Sequence, residues 1–205
     1  MKRILLSILV IGILLLSACG TSAPVSEPEI PPHYTTFTDE AGLFSISYPP
    51  DWEPALSLIP DVWAAVKDVI TSIESDLPVE NIRFIFFAGL PIEGGYAPNV
   101  NIVVESIPGV IWTHDKVVEA EITGIKQIIQ DYHEFSRVKT TVDGRETTIV
   151  DWEGTYPQLG KGRVLQMIVL VGKTAWIVTC TPPSGESSKW AKDFGAVVRS
   201  LRILK

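Results

Sequence analysis

Two stretches in the C-terminal third, Val164-Leu-Gln-Met-Ile-Val-Leu-Val171 and Ala175-Trp-Ile-Val-Thr-Cys180, are apolar at successive positions rather than at alternate ones. Neighbouring side chains of a strand point to opposite faces of its sheet, so a strand of this kind must be covered above and below. One helix cannot cover both faces of a wide sheet, and helices are expected on opposite sides. The two stretches meet around Gly172-Lys173-Thr174, which reads as a hairpin turn.

The rest of the pattern fits that demand. Tyr34–Thr38 and Leu43–Tyr48 flank Asp39-Glu-Ala-Gly42, a turn signal, and Phe44, Ile46 and Tyr48 alternate with Ser45 and Ser47. Pro49-Pro50 stop that strand. Residues 61–73 place Val62, Val66, Val69, Ile70 and Ile73 at helical spacing, after Pro60-Asp61. Strands follow at 82–88 and 100–105. A helix is predicted over 113–132, with Val118, Ile122, Ile125, Ile129 and Tyr132 in one apolar stripe and Thr113 as its N-cap. Strands 135–142 and 145–156 meet at Asp143-Gly144, a strong two-residue hairpin signal. Pro182-Pro183 end the sheet, and Trp190, Phe194, Val197, Val198 and Leu201 stripe a last helix. The sum is an α+β fold, an α/β/α sandwich with a mainly antiparallel sheet and helices on both faces.

The 205 residues suit one domain of roughly 170 residues plus a targeting segment. Lys2-Arg3 precede an apolar run from Ile4 to Leu16, short of the ~20 residues needed to span a bilayer. Leu16-Ser17-Ala18-Cys19-Gly20 follows, and it resembles a bacterial lipobox, whose cysteine receives a diacylglyceryl group and becomes the first residue after cleavage. The resemblance implies a signal peptide over 1–18 and lipid attachment at Cys19. Two or more acyl chains are needed because one gives only marginal membrane binding. Gly20 stands where an Asp, by the sorting rule of two-membrane bacteria, would retain the protein in the inner membrane. Residues 20–33, rich in Pro, Ser and Glu, read as a tether reaching at most about 50 Å, with the folded domain over 34–205. Loss of Lys2 and Arg3 takes the formal charge from −7 to −9. That balance argues against a nucleic-acid partner and against adsorption to anionic lipid by charge. Membrane attachment then rests on the lipid of Cys19.

The chain opens its domain with Phe44-Ser-Ile-Ser-Tyr-Pro49-Pro-Asp-Trp52 and closes it with a strand over 175–181, Pro182-Pro183, and a helix running to Val198-Arg-Ser-Leu-Arg-Ile203. In these features it is similar to the PsbP/Mog1-like superfamily, from about residue 36 to 203. The resemblance implies the same sandwich and a non-enzymatic binding module. Members include extrinsic photosystem subunits, a Ran-binding import factor and bacterial lipoproteins. No partner-binding residue carries over, and the helix around 61–73 departs from the shorter connection of many relatives.

Patterns that invite chemistry each have a simpler reading. Gly172-Lys173-Thr174 lacks the P-loop glycine five residues earlier, where Met167 stands, and a strand rather than a helix follows. His33, His114 and His133 are scattered, and His114-Asp115 reads as a solvated helix terminus. Asp151 and Glu153 share one strand face opposite Trp152, read as the wet face of an outer strand. Ser184-Gly185 lacks the first glycine of a nucleophile elbow. Cys180, within an apolar strand, reads as a core residue. The long loop Glu93-Gly-Gly-Tyr-Ala-Pro-Asn99 is the better candidate, and Tyr96, Asn99 and Trp112 are the partner-binding candidates. No cofactor or metal is expected. The resulting expectation is a lipid-anchored, non-enzymatic binding or scaffold module in the cell envelope, outside the cytoplasm, with an envelope protein as partner. The alternative is a carrier of a small ligand or metal in a cleft between sheet and helix.

Overall fold

The structure, a computed structural model, describes residues 30–61, 63–64, 67–68, 79–90, 97–107, 112–156 and 160–205. Residues 1–29, which hold the expected signal peptide, Cys19 and most of the expected tether, lie outside the described residues. In chain order the described elements are β1 (Thr35–Thr38), β2 (Phe44–Tyr48), β3 (Glu53–Pro54), β4 (Ile82–Gly89), β5 (Asn99–Ser106), α1 (His114–Ile128), β6 (Gln130–Val142), β7 (Arg145–Tyr156), β8 (Gly160–Val171), β9 (Thr174–Thr181), α2 (Ser187–Arg199) and β10 (Arg202–Ile203). The predicted 61–73 segment is helical at 59–61, 63–64 and 67–68, and its remainder lies outside the described residues.

β8 and β9 sit in the interior of a seven-stranded sheet of order β3-β4-β5-β9-β8-β7-β6, in which every pairing is antiparallel. Their two apolar faces feed two separate cores. On one face Val164, Ile168, Ala175 and Ile177 pack with Val117, Val118 and Ile122 of α1. On the other, Met167, Val169, Trp176, Val178 and Cys180 pack with Trp190, Phe194, Val197 and Val198 of α2. A second, three-stranded sheet of order β1-β2-β10 shares that second face and adds Phe44, Ile46, Tyr48 and Ile203 to it. Burying an aromatic or aliphatic side chain of this size stabilises by roughly 1.5–3 kcal/mol each, so the second core dominates the fold. The α/β/α sandwich with helices on both faces is the observed architecture.

Local chemistry sets the boundaries. Thr113 caps α1, its hydroxyl accepting from the Lys116 amide. Asp143 and Gly144 both take positive φ, +52° and +71°, the geometry of the tight turn joining β6 to β7. One boundary departs from the sequence reading: α1 stops at Ile128, so Ile129 and Tyr132 are not its last turn. Ile129 is already extended, Asp131 takes a φ of +53°, and the chain reverses into β6 to pair Gln130 with Thr155. β6 thereby gains five residues at its start over the predicted 135–142, and β8 starts four residues before the apolar stretch 164–171. Two short strands were not anticipated. β3 pairs with β4, and β10 pairs with β2.

Candidate functional site

α2 does not cover its whole face of the sheet. Among the described residues, Phe135 and Val138 of β6 are 45% and 51% exposed there, while Val142 of β6 and Ile149 of β7 are buried in the second core. The step from α2 down to these strands forms a groove of about 500 Å³. Its floor is Ile149 and Asp151 of β7 with Arg163 and Leu165 of β8, and its wall is the α2 flank bearing Ser188, Ala191, Gly195 and Arg199. Small side chains on that flank keep the groove open, while Phe194 closes it at the core side.

The strand register builds the charged part of the floor. Glu153 lies opposite Arg163, and Asp151 lies opposite Leu165. Arg163 reaches diagonally to Asp151, with Nε 2.8 Å from Oδ1 and Nη2 2.6 Å from Oδ2. Its guanidinium carbon stands 4.1 Å from the centre of the Phe135 ring, a cation–π contact. The Asp151 hydrogen bonds raise the Arg163 pKa further, so the guanidinium is charged throughout the physiological range. Lys161 Nζ lies 2.9 Å from Glu153 Oε1. Both carboxylates are thus ion-paired and half-buried. Trp152, on the opposite face, is buried under α1. The reading of Asp151 and Glu153 as the wet face of an outer strand is corrected on one point: β7 is second from the edge, and the face is open because α2 stops short of it.

The sequence candidates are placed apart. Asn99 is 6% exposed and starts β5, paired with Gly89 and Thr181 while its side chain donates to the Ala97 carbonyl. That burial and hydrogen bond make it an anchor for the start of β5. Trp112, 36% exposed, precedes α1, whose first residue His114 meets Thr148 of β7. Tyr96 lies outside the described residues. His114 is corrected as well. It is 8% exposed, its Nε2 2.9 Å from Thr148 Oγ1 and its Nδ1 without a partner. Burial pushes its pKa below the ordinary 6.5. Cys180 is fully buried and its thiol pKa is raised by desolvation, which makes it an inert core residue. Sequence reasoning found Asp151 and missed Arg163, Phe135 and Arg199. The one available signal was the run of small residues at 188, 191 and 195 beside the apolar stripe of α2.

The architecture defines a PsbP-like fold. Two solved structures share it: the solution structure of cyanobacterial PsbP (CyanoP) from Synechocystis sp. PCC 6803, and the crystal structure of LpqN, involved in cell envelope biogenesis of Mycobacterium tuberculosis. The first aligns at a TM-score of 0.53 and 11% identity over 92% of this chain and 98% of its own. The second aligns at 0.54 and 11% over 84% and 92%. At this identity the likeness is one of fold. No family model matches the sequence, and no curated protein matches it.

Proposed function

We propose that this chain is a lipid-anchored module of the bacterial cell envelope that acts by binding rather than catalysis. The observation that carries the reading is Leu16-Ser-Ala-Cys19 behind a short apolar run, followed by a Pro- and Ser-rich tether. At the start of the domain Tyr34 donates to Asp193 of α2 at 2.7 Å, which ties that end of the chain to α2. The envelope setting of LpqN, a protein of the same fold, is compatible with this placement. The ion pairing of Asp151 and Glu153 commits both carboxylates to neighbouring cations, which favours binding over acid–base work. Cys19→Ala is expected to move the protein from membranes to the soluble fraction. Equal membrane retention of the variant would contradict the anchor.

A second reading has its own support. The groove between α2 and the sheet falls within the roughly 300–1,000 Å³ typical of small-molecule sites, and mixes apolar lining with a few polar groups. It fits a carrier of a small ligand. Native mass spectrometry of the protein recovered from its own membranes is expected to show an added mass. A bare polypeptide mass in every preparation would remove this reading.

A further inference from the structure

The charges of the groove are not balanced. Asp151 and Arg163 neutralise each other through two hydrogen bonds. Arg199 has no carboxylate partner among the described residues, since its Nη1 donates to the Gly195 carbonyl at 2.9 Å. Exposed Lys192 falls on the same helical stripe, four residues after Ser188 and seven before Arg199. The one acid at the start of α2, Glu186, is turned to Lys189 and to Trp190 Nε1. A chain of formal charge −7 therefore carries a net positive groove whose floor sets Ile149 and Leu165 beside the Asp151–Arg163 pair. Apolar length beside uncompensated cations is complementary to an anionic amphiphile. A neutral ligand would gain less from Arg199 than a carboxylate would.

We propose that the groove between α2 and strands β7 and β8 binds a single-chain fatty carboxylate, its chain along Ile149, Leu165 and Phe194 and its carboxylate on Arg199. This rests on the small-ligand reading above and narrows it to one chemical class. The test places the full chain in vesicles with a photoreactive hexadecanoic acid, and in parallel with the photoreactive alcohol of the same length. Crosslinks from the acid are expected within 145–171 and 187–199. Arg199→Gln should cut acid labelling there about tenfold, as loss of a charged hydrogen bond implies, without changing labelling by the alcohol. Gly195→Met should block both probes by filling the groove. A side chain there displaces only the flexible end of Arg199, whose Nη1 lies 3.2 Å from the added Cβ, so this variant keeps the fold. Equal labelling of the groove by acid and alcohol would overturn the assignment to an anion while leaving a small-ligand site. Groove labelling by neither probe would overturn both. Undiminished acid labelling in Gly195→Met would do the same.

Discussion

Ile129 occupies the space that a side chain at Gly154 would need: a Cβ built on Gly154 falls 2.2 Å from Ile129 Cγ2. This contact lies where α1 gives way to β6, and it lets the chain reverse against β7. Gly154→Ala is therefore expected to destabilise by about 1–3 kcal/mol, the usual cost of overpacking. Adding Ile129→Ala should recover part of that loss, since residues in contact couple non-additively. Urea denaturation of the four forms checks both statements. Additive effects would mean that the two residues do not meet.

Gly124 offers the contrasting case. It lies inside α1, has open space around its Cα and keeps an ordinary helical φ. Gly124→Ala should stabilise by about 0.5–1 kcal/mol through helix propensity and a less flexible unfolded chain. A loss of stability in the same denaturation assay would show that the α1 surface there is packed.

Two titratable groups of α1, His114 and Glu121, give stability opposite dependences on pH. Burial lowers the His114 pKa, so the unfolded chain binds the proton more tightly. Its contribution is present above the ordinary 6.5 and is lost as pH falls through the lowered folded value. Glu121 is the reverse: burial and a hydrogen bond with Glu105 raise its pKa well above 4.5. That contribution is present below 4.5 and is lost as pH rises through the raised folded value. Glu121→Gln should therefore stabilise the protein at neutral pH, while His114→Gln should flatten the acid limb of the stability curve. Melting curves across the range read both, and an unchanged acid limb in His114→Gln would refute the buried-imidazole assignment.

The ion pair in the groove floor should matter little to folding. Asp151 and Arg163 are both partly exposed, with side-chain accessibilities of 24% and 37%, and such pairs contribute at most about 1 kcal/mol. Arg163→Met is expected to shift the denaturation midpoint only slightly. A large loss would mean that the Asp151–Arg163 pair holds the sheet together as well as lining the groove.

What could be read in the sequence is what periodicity encodes. The two-sided apolar character of β8 and β9 foretold cover on both faces, and the two cores divide those residues in alternation. The end of α1 escaped because Ile129 and Tyr132 satisfy a helical stripe as well as a strand, and the reversal rests on a positive φ at Asp131, with no glycine there to signal it. β10 is two residues long and exists only through its partner β2. The groove was hidden for a related reason. Asp151 was legible as a carboxylate on a strand, yet Arg163 joins it only through cross-strand register, and Arg199 only through how far α2 reaches across the sheet.

Counting thiols separates the lipid-bearing chain from the bare one. The sequence holds two cysteines, and Cys180 is fully buried. Protein isolated from its own membranes should show no reactive thiol when native and one when unfolded. A second thiol on unfolding would mean that Cys19 is present and free.

The mass of the native amino-terminal peptide bears most directly on the central claim. The account predicts a chain beginning at Cys19 and carrying a diacylglyceryl group on its sulfur. A peptide beginning elsewhere, or an unmodified Cys19, would contradict it.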